Sequence, residues 1–422
     1  MEKPRLRRDI QLMPALYQGR RIIAFQDPLK LAGGDIALDA GLSPLLTRLD
    51  GTHDRRELQA ALPPLDSGES ISMDDLDALL ERLDEIFLLD SERYRGGKRS
   101  LQEAFRSDPD RHPAFAGAAY SADADELRAF IGDLEQNLAP FDNSSTHDAV
   151  TGVLAPHIDT NVAGRVYVDL YRRLRGRRYD RVVILGINHQ EQDGLYSVLN
   201  KGFQTPLGRF APDEDFIAAL SDGLPPGVIA TDDFGHKMEH SIEFQTIFLG
   251  HYLEPSFRVV PILCGSLYQI MEGEGTLLEN DRFRAMYERL DALIRNSSGS
   301  TLVVSAVDFA HLGLKFGHPS PASSMLEKAL ENDRELLSFI KDGAAEEIYR
   351  YARNREDCFN VCGLPSMVLF ALLMRDSRGH LLAHETYNEE ATESAVTYAS
   401  MLFEATSVDG SSERPRSDGG NG

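Results

Sequence analysis

Short apolar runs alternate with amphipathic segments along most of the chain. Four runs are rich in β-branched residues and bounded by Gly, Pro, Asp or Asn, and they cover residues 150–155, 181–187, 258–263 and 301–307. Such runs are typical of strands buried on both faces. Apolar residues at helical spacing predict helices over 166–174, 213–220, 241–252, 282–294, 321–341 and 364–375, and a late strand follows at 394–403. The alternation predicts an α/β fold in which helices flank a largely parallel sheet.

The first hundred residues have a different pattern. An extended start over 10–25 precedes helices around 43–49, 55–62 and 72–83, and the last helix opens with a capping-box-like Ser72 and Asp75. This pattern predicts a small α+β winged-helix-like domain over 1–97. Turn-forming residues at 95–100 and 107–110 predict a linker over 98–112, after which the α/β domain covers 113–405. The tail 406–422 is rich in Ser, Gly, Asp and Arg and is predicted to be disordered.

Charge and hydropathy exclude several classes of partner. The chain has 44 Lys and Arg against 67 Asp and Glu, a formal net charge of −23, which excludes a protein that coats nucleic acid with a general basic surface. The basic run at 172–178 is therefore expected to be a solvated face or a contact for an acidic partner. No apolar stretch approaches the ~18 residues of a membrane helix, and no signal-peptide core follows the basic N-terminus. We expect a cytoplasmic protein that binds neither nucleic acid nor membrane.

Side chains that suit metal binding follow the predicted strands. His157 comes just after the first run and His189 after the second, while Asp308 and His311 follow the fourth. Because the carboxyl ends of parallel strands meet at one edge of a sheet, these side chains are expected to share a site. Cys362 precedes the helix predicted at 364–375, where a thiolate gains from the helix dipole.

Imidazole and thiolate are ligands for zinc, iron or copper, whereas calcium and magnesium require more oxygen ligands. The chain has three cysteines, too few for a disulfide framework. Cys264 ends an apolar run and is predicted to be a buried strand thiol. Cys358 precedes Cys362 by four residues, which leaves a redox pair as an alternative use of that thiol.

Six motifs occur in order between residues 115 and 403. They are Gly152-Val-Leu-Ala-Pro-His157, Val-Ile-Leu-Gly-Ile-Asn-His189, Glu239-His-Ser-Ile-Glu243, Val260-Pro-Ile-Leu-Cys-Gly265, Asp308-Phe-Ala-His311 and Cys362-Gly-Leu-Pro365. In this order they resemble the motifs of the Memo family, known in bacteria as AmmeMemoRadiSam system protein B. The resemblance implies the α/β fold of the class III extradiol dioxygenases.

The same resemblance implies a site for one metal ion. His157, His189 and Cys362 would hold it, and iron or copper is implied in preference to zinc. Asp308 and His311 would lie in the same pocket and contact a small-molecule substrate. A pocket histidine serves as acid/base in the dioxygenase relatives, a role that His311 or His240 would take here.

The chain also departs from the family pattern. Ile158-Asp159-Thr160 follows His157 where the family has Ala-Gly-Tyr, so we expect Asp159 to add a carboxylate near the metal. Cys362 stands where the dioxygenases have a carboxylate ligand. Since a thiolate changes the redox potential of iron and is itself oxidisable, extradiol ring cleavage does not follow from the fold.

The N-terminal region has a resemblance of its own. The segments Leu45-Leu-Thr-Arg-Leu-Asp-Gly-Thr52 and 79–89 resemble PqqD-type winged-helix domains, which hold precursor peptides for radical-SAM enzymes by strand addition. The resemblance implies a peptide or a radical-SAM protein as partner. A packing module that binds no peptide is the alternative.

Three functions remain open at this point. The first is a metal-dependent redox enzyme with dioxygenase-like chemistry, and the second is a non-enzymatic accessory or scaffold protein that binds a peptide or a radical-SAM partner. The third is a zinc peptidase, because His236, Glu239 and His240 fit an H-x-x-E-H pattern in which both histidines share a helix face. Residues 310–320 lack the further Glu that such a peptidase requires.

Overall fold

The computed structural model describes residues 3–34, 36–62, 70–140, 149–190, 192–254, 256–271, 275–355 and 358–406. The chain forms two compact units, Met1–Arg111 and His112–Gly422. Of the tail predicted to be disordered, 406–422, residues 407–422 lie outside the described residues. No helix in the part of the chain that the structure describes is long and apolar enough to span a membrane.

The N-terminal unit combines a small sheet with four helices. Strands β1 (Gln11–Tyr17), β2 (Arg20–Gln26) and β3 (Ile36–Asp39) pair antiparallel in that order. The helices are α1 (Ser43–Leu46), α2 (Arg55–Ala61), α3 (Met73–Glu85) and α4 (Glu92–Ser107), and a two-residue strand β4 (Asp110–Arg111) ends the unit. Leucines from α1, α2 and α3 form its core with Ile23 and Phe25 of β2. The capping box predicted at Ser72 and Asp75 is present at the start of α3.

Helix α4 occupies most of the segment that the sequence predicts to be a linker. It runs through Gly96 and Gly97, so the predicted boundary near residue 97 lies inside a helix, and the units divide instead between Arg111 and His112. Each glycine costs a helix roughly 1 kcal/mol. The Ser91 hydroxyl caps the first turn by accepting from the Tyr94 backbone N–H at 3.2 Å, and the side chains of Tyr94 and Phe105 are buried. These contributions offset the glycine penalty.

The second unit is a mixed α/β domain. Its strands are β5 (Val150–Ala155), β6 (Arg181–Ile187), β7 (Tyr196–Val198), β8 (Gly202–Thr205), β9 (Gly208–Phe210), β10 (Arg258–Cys264), β11 (Thr301–Ala306), β12 (Asp308–Gly313), β13 (Ser377–Glu389) and β14 (Ser394–Ala405). Its helices are α5 (Ala124–Gln136), α6 (Thr160–Tyr171), α7 (Glu214–Ser221), α8 (His240–Tyr252), α9 (Asp281–Asn296), α10 (Leu326–Lys341), α11 (Ala345–Arg355) and α12 (Leu364–Leu373).

Eight of these strands form one sheet, in the order β12-β14-β5-β11-β6-β10-β7, with β13 paired to β14. The four strands predicted from their apolar runs, β5, β11, β6 and β10, are parallel and adjacent. The outer strands β7, β12, β13 and β14 pair antiparallel. The prediction of an α/β fold with a helix-flanked sheet is confirmed, and its parallel part is confined to the central four strands.

Helices α8 and α12 cover opposite faces of the central strands. A Cβ on Gly186 of β6 would lie 2.7 Å from Ser241 Oγ and 2.6 Å from Ile242 Cγ1, both on α8, so α8 packs directly on this glycine. On the other face, the Ser366 hydroxyl of α12 lies 2.8 Å from that of Ser305 on β11. Since successive strand residues face opposite sides, the two helices enclose the sheet where β6 and β11 end.

Candidate metal centre

Two strand ends and one helix start supply the three side chains of the candidate centre. His157 follows β5, and His189 follows β6 two strands away, with β11 between them. Cys362 lies just before α12, which packs on β6 and β11. One imidazole nitrogen from each histidine and the Cys362 Sγ lie within 4.8 Å of one another. The structure therefore brings together the three residues that the sequence predicts as metal ligands.

His157 is almost fully buried, and its neighbours fix the direction of its ring. The Nδ1–H donates to the Ala306 carbonyl at the end of β11 at 3.0 Å. Because a carbonyl only accepts, Nδ1 carries a proton, and Nε2 faces Cys362 Sγ, 3.4 Å away. This orientation presents Nε2 as a ligand atom.

Glu239 orients His189 in the same way. Its Oε2 accepts from His189 Nδ1 at 3.0 Å and from the His189 backbone N–H at 3.2 Å. Its other oxygen lies 3.2 Å from His240 Nδ1 and accepts from the Ser241 backbone N–H at 2.9 Å. Glu239 is buried, and despite the cost of burial the charge of His189 and the hydrogen bonds from His189 and the Ser241 backbone hold its pKa well below the ordinary value. The carboxylate thus sets the His189 tautomer and links two histidine rings.

The thiol of Cys362 lies in a field that favours its ionised form. Burial alone would raise its pKa, but His157 and His311 lower it to about 5. In return, although burial opposes it, Asp308 and the Cys362 thiolate raise the pKa of His157 to about 9. Burial likewise opposes protonation of His189, and Glu239 together with Cys362 raises its pKa well above the ordinary value.

These shifts indicate that the cluster has an excess of negative charge. Two imidazoles and a thiolate converge in it, with the carboxylates of Asp308 and Glu239 behind them. Without a metal, protons on the histidines balance that charge. A divalent transition metal would replace those protons, since metal ligands bind deprotonated. The donor set therefore fits zinc, iron or copper better than the oxygen-seeking cations.

Asp308 lies behind His157. Its Oδ1 accepts from the backbone N–H groups of His157 at 2.9 Å and of Ile158 at 3.2 Å, and its Oδ2 is 3.6 Å from His157 Nε2. The carboxylate thus holds the turn that carries the first histidine. His311 is close enough to lower the pKa of Cys362. Its Nδ1 lies 3.1 Å from the Phe309 carbonyl, and its ring packs edge-on against Phe316.

His240 completes a group of three imidazoles. Its ring stacks on His189, with centroids 4.9 Å apart, and meets His157 edge-on at 5.3 Å. Loss of hydration and the neighbouring histidines lower its pKa to about 3, although Glu239 opposes this. His240 is therefore neutral near pH 7. Because its Nδ1 faces Glu239, Nε2 is the nitrogen left to accept a hydrogen bond from a substrate or water.

Sequence reasoning missed one supporting residue, Glu243. This fully buried carboxylate of α8 accepts from the backbone N–H groups of Ala114 at 3.0 Å and Phe115 at 2.9 Å, and from the Tyr120 hydroxyl. It thereby fixes a segment whose Phe115 ring packs edge-on against His240 at 5.7 Å. The available signal was a charged residue in an otherwise apolar helix, which marks a buried and paired group.

The structure separates the other candidate residues from this cluster. His236 lies in a 3₁₀ helix, Phe234–Met238, and its Nε2 is 3.1 Å from the Ser197 carbonyl, whereas His240 begins α8. The two histidines therefore do not share the helix face that the H-x-x-E-H hypothesis requires. The clusters of potential metal ligands found among the described residues include His240 and Glu239, with His189, but not His236.

The remaining thiols and Asp159 have different surroundings. Cys264 is buried at the end of β10, where burial raises its pKa. Cys358 is exposed, and both it and Cys362 are free thiols. Asp159 caps α6 by accepting from the Asn161 backbone N–H at 2.8 Å. It belongs to neither ligand cluster found in the described part of the chain, so the expected extra carboxylate at the metal is not seen there.

Two clefts adjoin the centre. The first, which we call the strand-end pocket, has a volume of about 220 Å³ and is lined by His189, Cys362, the ends of β6 and β10, and the turn after β10. The second, of about 390 Å³, is lined by Asp159, Lys315 and Glu389 among others. Its described lining includes none of the three candidate ligands.

Comparison with known proteins agrees with the motif resemblance. The family model described as Memo-like protein matches residues 111–402. A MEMO1 family protein of Aquifex aeolicus is 30% identical over 362 residues, which cover 85% of this chain and 90% of that protein. MEMO1 family proteins of Methanopyrus kandleri and Thermus thermophilus are 29% and 26% identical, over 70% and 80% of this chain and 99% and 95% of their own lengths. The Aquifex match is too long for the second unit alone and reaches into the N-terminal unit.

Proposed function

Because this chain belongs to the Memo family, we propose that it is a metal-dependent redox enzyme in which His157, His189 and Cys362 hold one transition-metal ion. The observation that carries the proposal is the convergence of two oriented imidazoles and a thiol of lowered pKa, within 4.8 Å, at the carboxyl ends of parallel strands. This edge is where α/β sheets bind their ligands. Three protein ligands leave coordination positions for a substrate.

Iron or copper is the proposed metal. Both accept imidazole and thiolate ligands, and both change oxidation state, which zinc does not. When bound, the ion would supply redox chemistry, because it can exchange electrons with a small substrate or with dioxygen. Glu239 and Asp308 would set the affinity of the centre for its metal ion, because each holds a candidate ligand histidine in position.

Proton movement is assigned to His240 and His311. Neutral His240 would accept a hydrogen bond from a substrate hydroxyl or from water through Nε2. His311 is close enough to Cys362 to lower the pKa of that thiol and would exchange protons with the pocket. Asp308 would act through His157, because its Oδ1 accepts from the backbone N–H groups of His157 and Ile158 and its Oδ2 lies 3.6 Å from His157 Nε2.

A second candidate function concerns the N-terminal unit. Its antiparallel sheet has β3 at one end of the strand order, and a strand in that position suits the addition of an extended peptide. This supports the proposal of a PqqD-like, winged-helix unit that binds a peptide or a radical-SAM protein, with the metal centre as an accessory site. Either function would be performed in the cytoplasm.

Elemental analysis of the full chain, purified without oxygen and without added metal, tests the proposal. The set is wild type, His157→Ala, His189→Ala and Cys362→Ala, with Cys358→Ala and His318→Ala as matched controls outside the centre. We expect close to one iron or copper per chain in wild type and both controls, and its loss in the other three. Zinc that is lost on His236→Ala would favour the peptidase, and a metal-free wild type would favour the accessory function.

A further inference from the structure

The strand-end pocket differs from the rest of this acidic chain because its described lining, apart from His189 and Cys362 at the candidate centre, is uncharged. Among the described residues that line it, none is Lys, Arg, Asp or Glu, although charged residues make up 26% of the sequence. The neighbouring cleft, with Asp159, Lys315 and Glu389, shows that charged walls do occur nearby. A ligand charge placed away from His189 and Cys362 would lose hydration without gaining an ion pair, which is costly.

The polar side chains of the lining are already engaged with their neighbours. Asn188 donates from Nδ2 to Gln192 Oε1 at 2.6 Å and accepts from the Gln190 backbone N–H at 3.0 Å. The Ser266 hydroxyl accepts from the Tyr268 backbone N–H at 3.2 Å, capping a 3₁₀ turn. The turn after β10 lines the pocket chiefly with apolar groups, those of Leu267, Tyr268 and Met271.

The volume of the strand-end pocket limits the size of the ligand that it can hold. A cavity of roughly 150 Å³ holds one benzene molecule, whereas most ligand pockets of proteins start near 300 Å³. At about 220 Å³, the strand-end pocket holds one ring or a short branched chain with a small substituent. Tyr268 is 59% exposed beside it, in a position to cover an apolar group that enters.

We infer that the strand-end pocket binds a small, uncharged, mainly apolar substrate. Its apolar part lies against Leu267, Tyr268 and Met271, and its polar end faces His189 and Cys362. This assignment of a substrate class rests on the proposed function, because it places the reacting end at the candidate metal centre. It also assigns a specificity role to the turn after β10, which contributes no candidate ligand.

Three probes that share a hydroxymethyl group and differ in the charge at the opposite end of the ring test the substrate class. Benzyl alcohol, 4-(hydroxymethyl)benzoate and 4-(hydroxymethyl)benzylamine are titrated into the full chain, metal-loaded and metal-free, and binding is followed by ligand-observed NMR. We expect benzyl alcohol to bind at least about tenfold more tightly than the two ions, since an unpaired buried charge costs more than 1.4 kcal/mol. Equal or tighter binding of either ion would overturn the assignment.

Variants then locate the binding. Met271→Glu places a charge in the apolar wall and should weaken benzyl alcohol about tenfold or more, whereas Met271→Gln, of similar size, should have a smaller effect. Leu278→Glu makes the same change at a partly exposed leucine outside the pocket lining and should leave binding unchanged. Equal affinities for the Met271→Glu variant and wild type would refute the location.

The metal content of every sample separates the two proposals. If wild type contains no metal but still selects benzyl alcohol in a Met271-dependent way, the metal-dependent function fails and the pocket assignment holds. If metal is present and lost with the three candidate ligands, but the probes show no preference for the uncharged ligand, the substrate class fails and the metal centre holds.

Discussion

The fully buried Glu243 provides a sharp test of how the walls of the site are held in place. Its carboxylate accepts two backbone N–H bonds, from Ala114 and Phe115, and the Tyr120 hydroxyl. In Glu243→Gln, one oxygen becomes an NH₂ group, which faces a backbone donor instead of accepting from it. Hydrogen bonds to a charged group contribute about 1.5–3 kcal/mol each, and an unsatisfied buried donor costs about 1–3 kcal/mol.

Together these losses predict a destabilisation of about 3–5 kcal/mol for Glu243→Gln. For a domain of this size we expect roughly 2 °C per kcal/mol, a fall in Tm of about 6–10 °C. Glu254→Gln is the matched control, since this exposed carboxylate pairs with Arg178 at 2.8 Å and such pairs contribute less than about 1 kcal/mol.

The assay combines calorimetry with amide hydrogen exchange. The exchange of residues 114–120 should accelerate in Glu243→Gln and remain as in wild type in Glu254→Gln. Because Phe115 packs on His240, the loosened segment would also admit water to that ring. A Glu243→Gln protein that melts within about 1 °C of wild type, with unchanged exchange at 114–120, would refute the reasoning.

Three further predictions test other parts of the second unit. In metal-free protein, iodoacetamide should alkylate Cys362 at a rate that is nearly constant between pH 6 and 8, because the pKa of this thiol is lowered to about 5. A tenfold rise in the alkylation rate per pH unit over that range would contradict the lowered pKa. Asp291→Asn should destabilise the fold by about 1 kcal/mol at pH 7, discounted for partial exposure, because Arg375 holds the pKa of Asp291 below 3.8. Because the pKa of Asp291 is lowered in the folded state, the difference in free energy of unfolding between wild type and Asp291→Asn, measured in urea, should be complete above pH 3.8. It should disappear as the pH falls through the folded-state pKa of Asp291. An undiminished difference in acid would contradict this prediction. Gly186→Ala should destabilise by about 1–3 kcal/mol, since its Cβ would lie 2.7 Å from Ser241 Oγ, and a Tm equal to that of wild type would show that α8 shifts freely.

Much of the central fold was predictable because its strands are buried on both faces. The observed β5 and β6 have the predicted bounds, and β10 and β11 each differ by one residue. Strand β13 was missed because its sequence, SRGHLLAHETYNE, is largely polar and only partly buried, and it pairs with β14 alone. Its backbone bonds to β14, which sequence periodicity does not report, define it as a strand.

The ligand set was predictable for a topological reason. His157 and His189 follow parallel strands. Because the carboxyl ends of parallel strands lie at one edge of a sheet, the sequence alone predicts that both histidines lie at that edge. The roles of Glu239 and His236 were not predictable. They depend on where the chain turns into α8, since Glu239 caps this helix and His236 belongs to the separate 3₁₀ helix before it. The short spacing between His236 and His240 along the sequence does not show that they belong to two different helices.

The wide separation of the ligands along the chain has a consequence for biosynthesis. His157 and Cys362 are 205 residues apart, and β5, which leads to His157, lies in the sheet between β11 and the last strand, β14. During synthesis from the N-terminus, the chain exposes both imidazoles long before the thiol emerges. If the proposed centre holds its ion through all three donors, that ion would be captured only after the ribosome has passed Cys362. Chains truncated before Cys362 would lack the thiol and would not form the proposed three-donor centre.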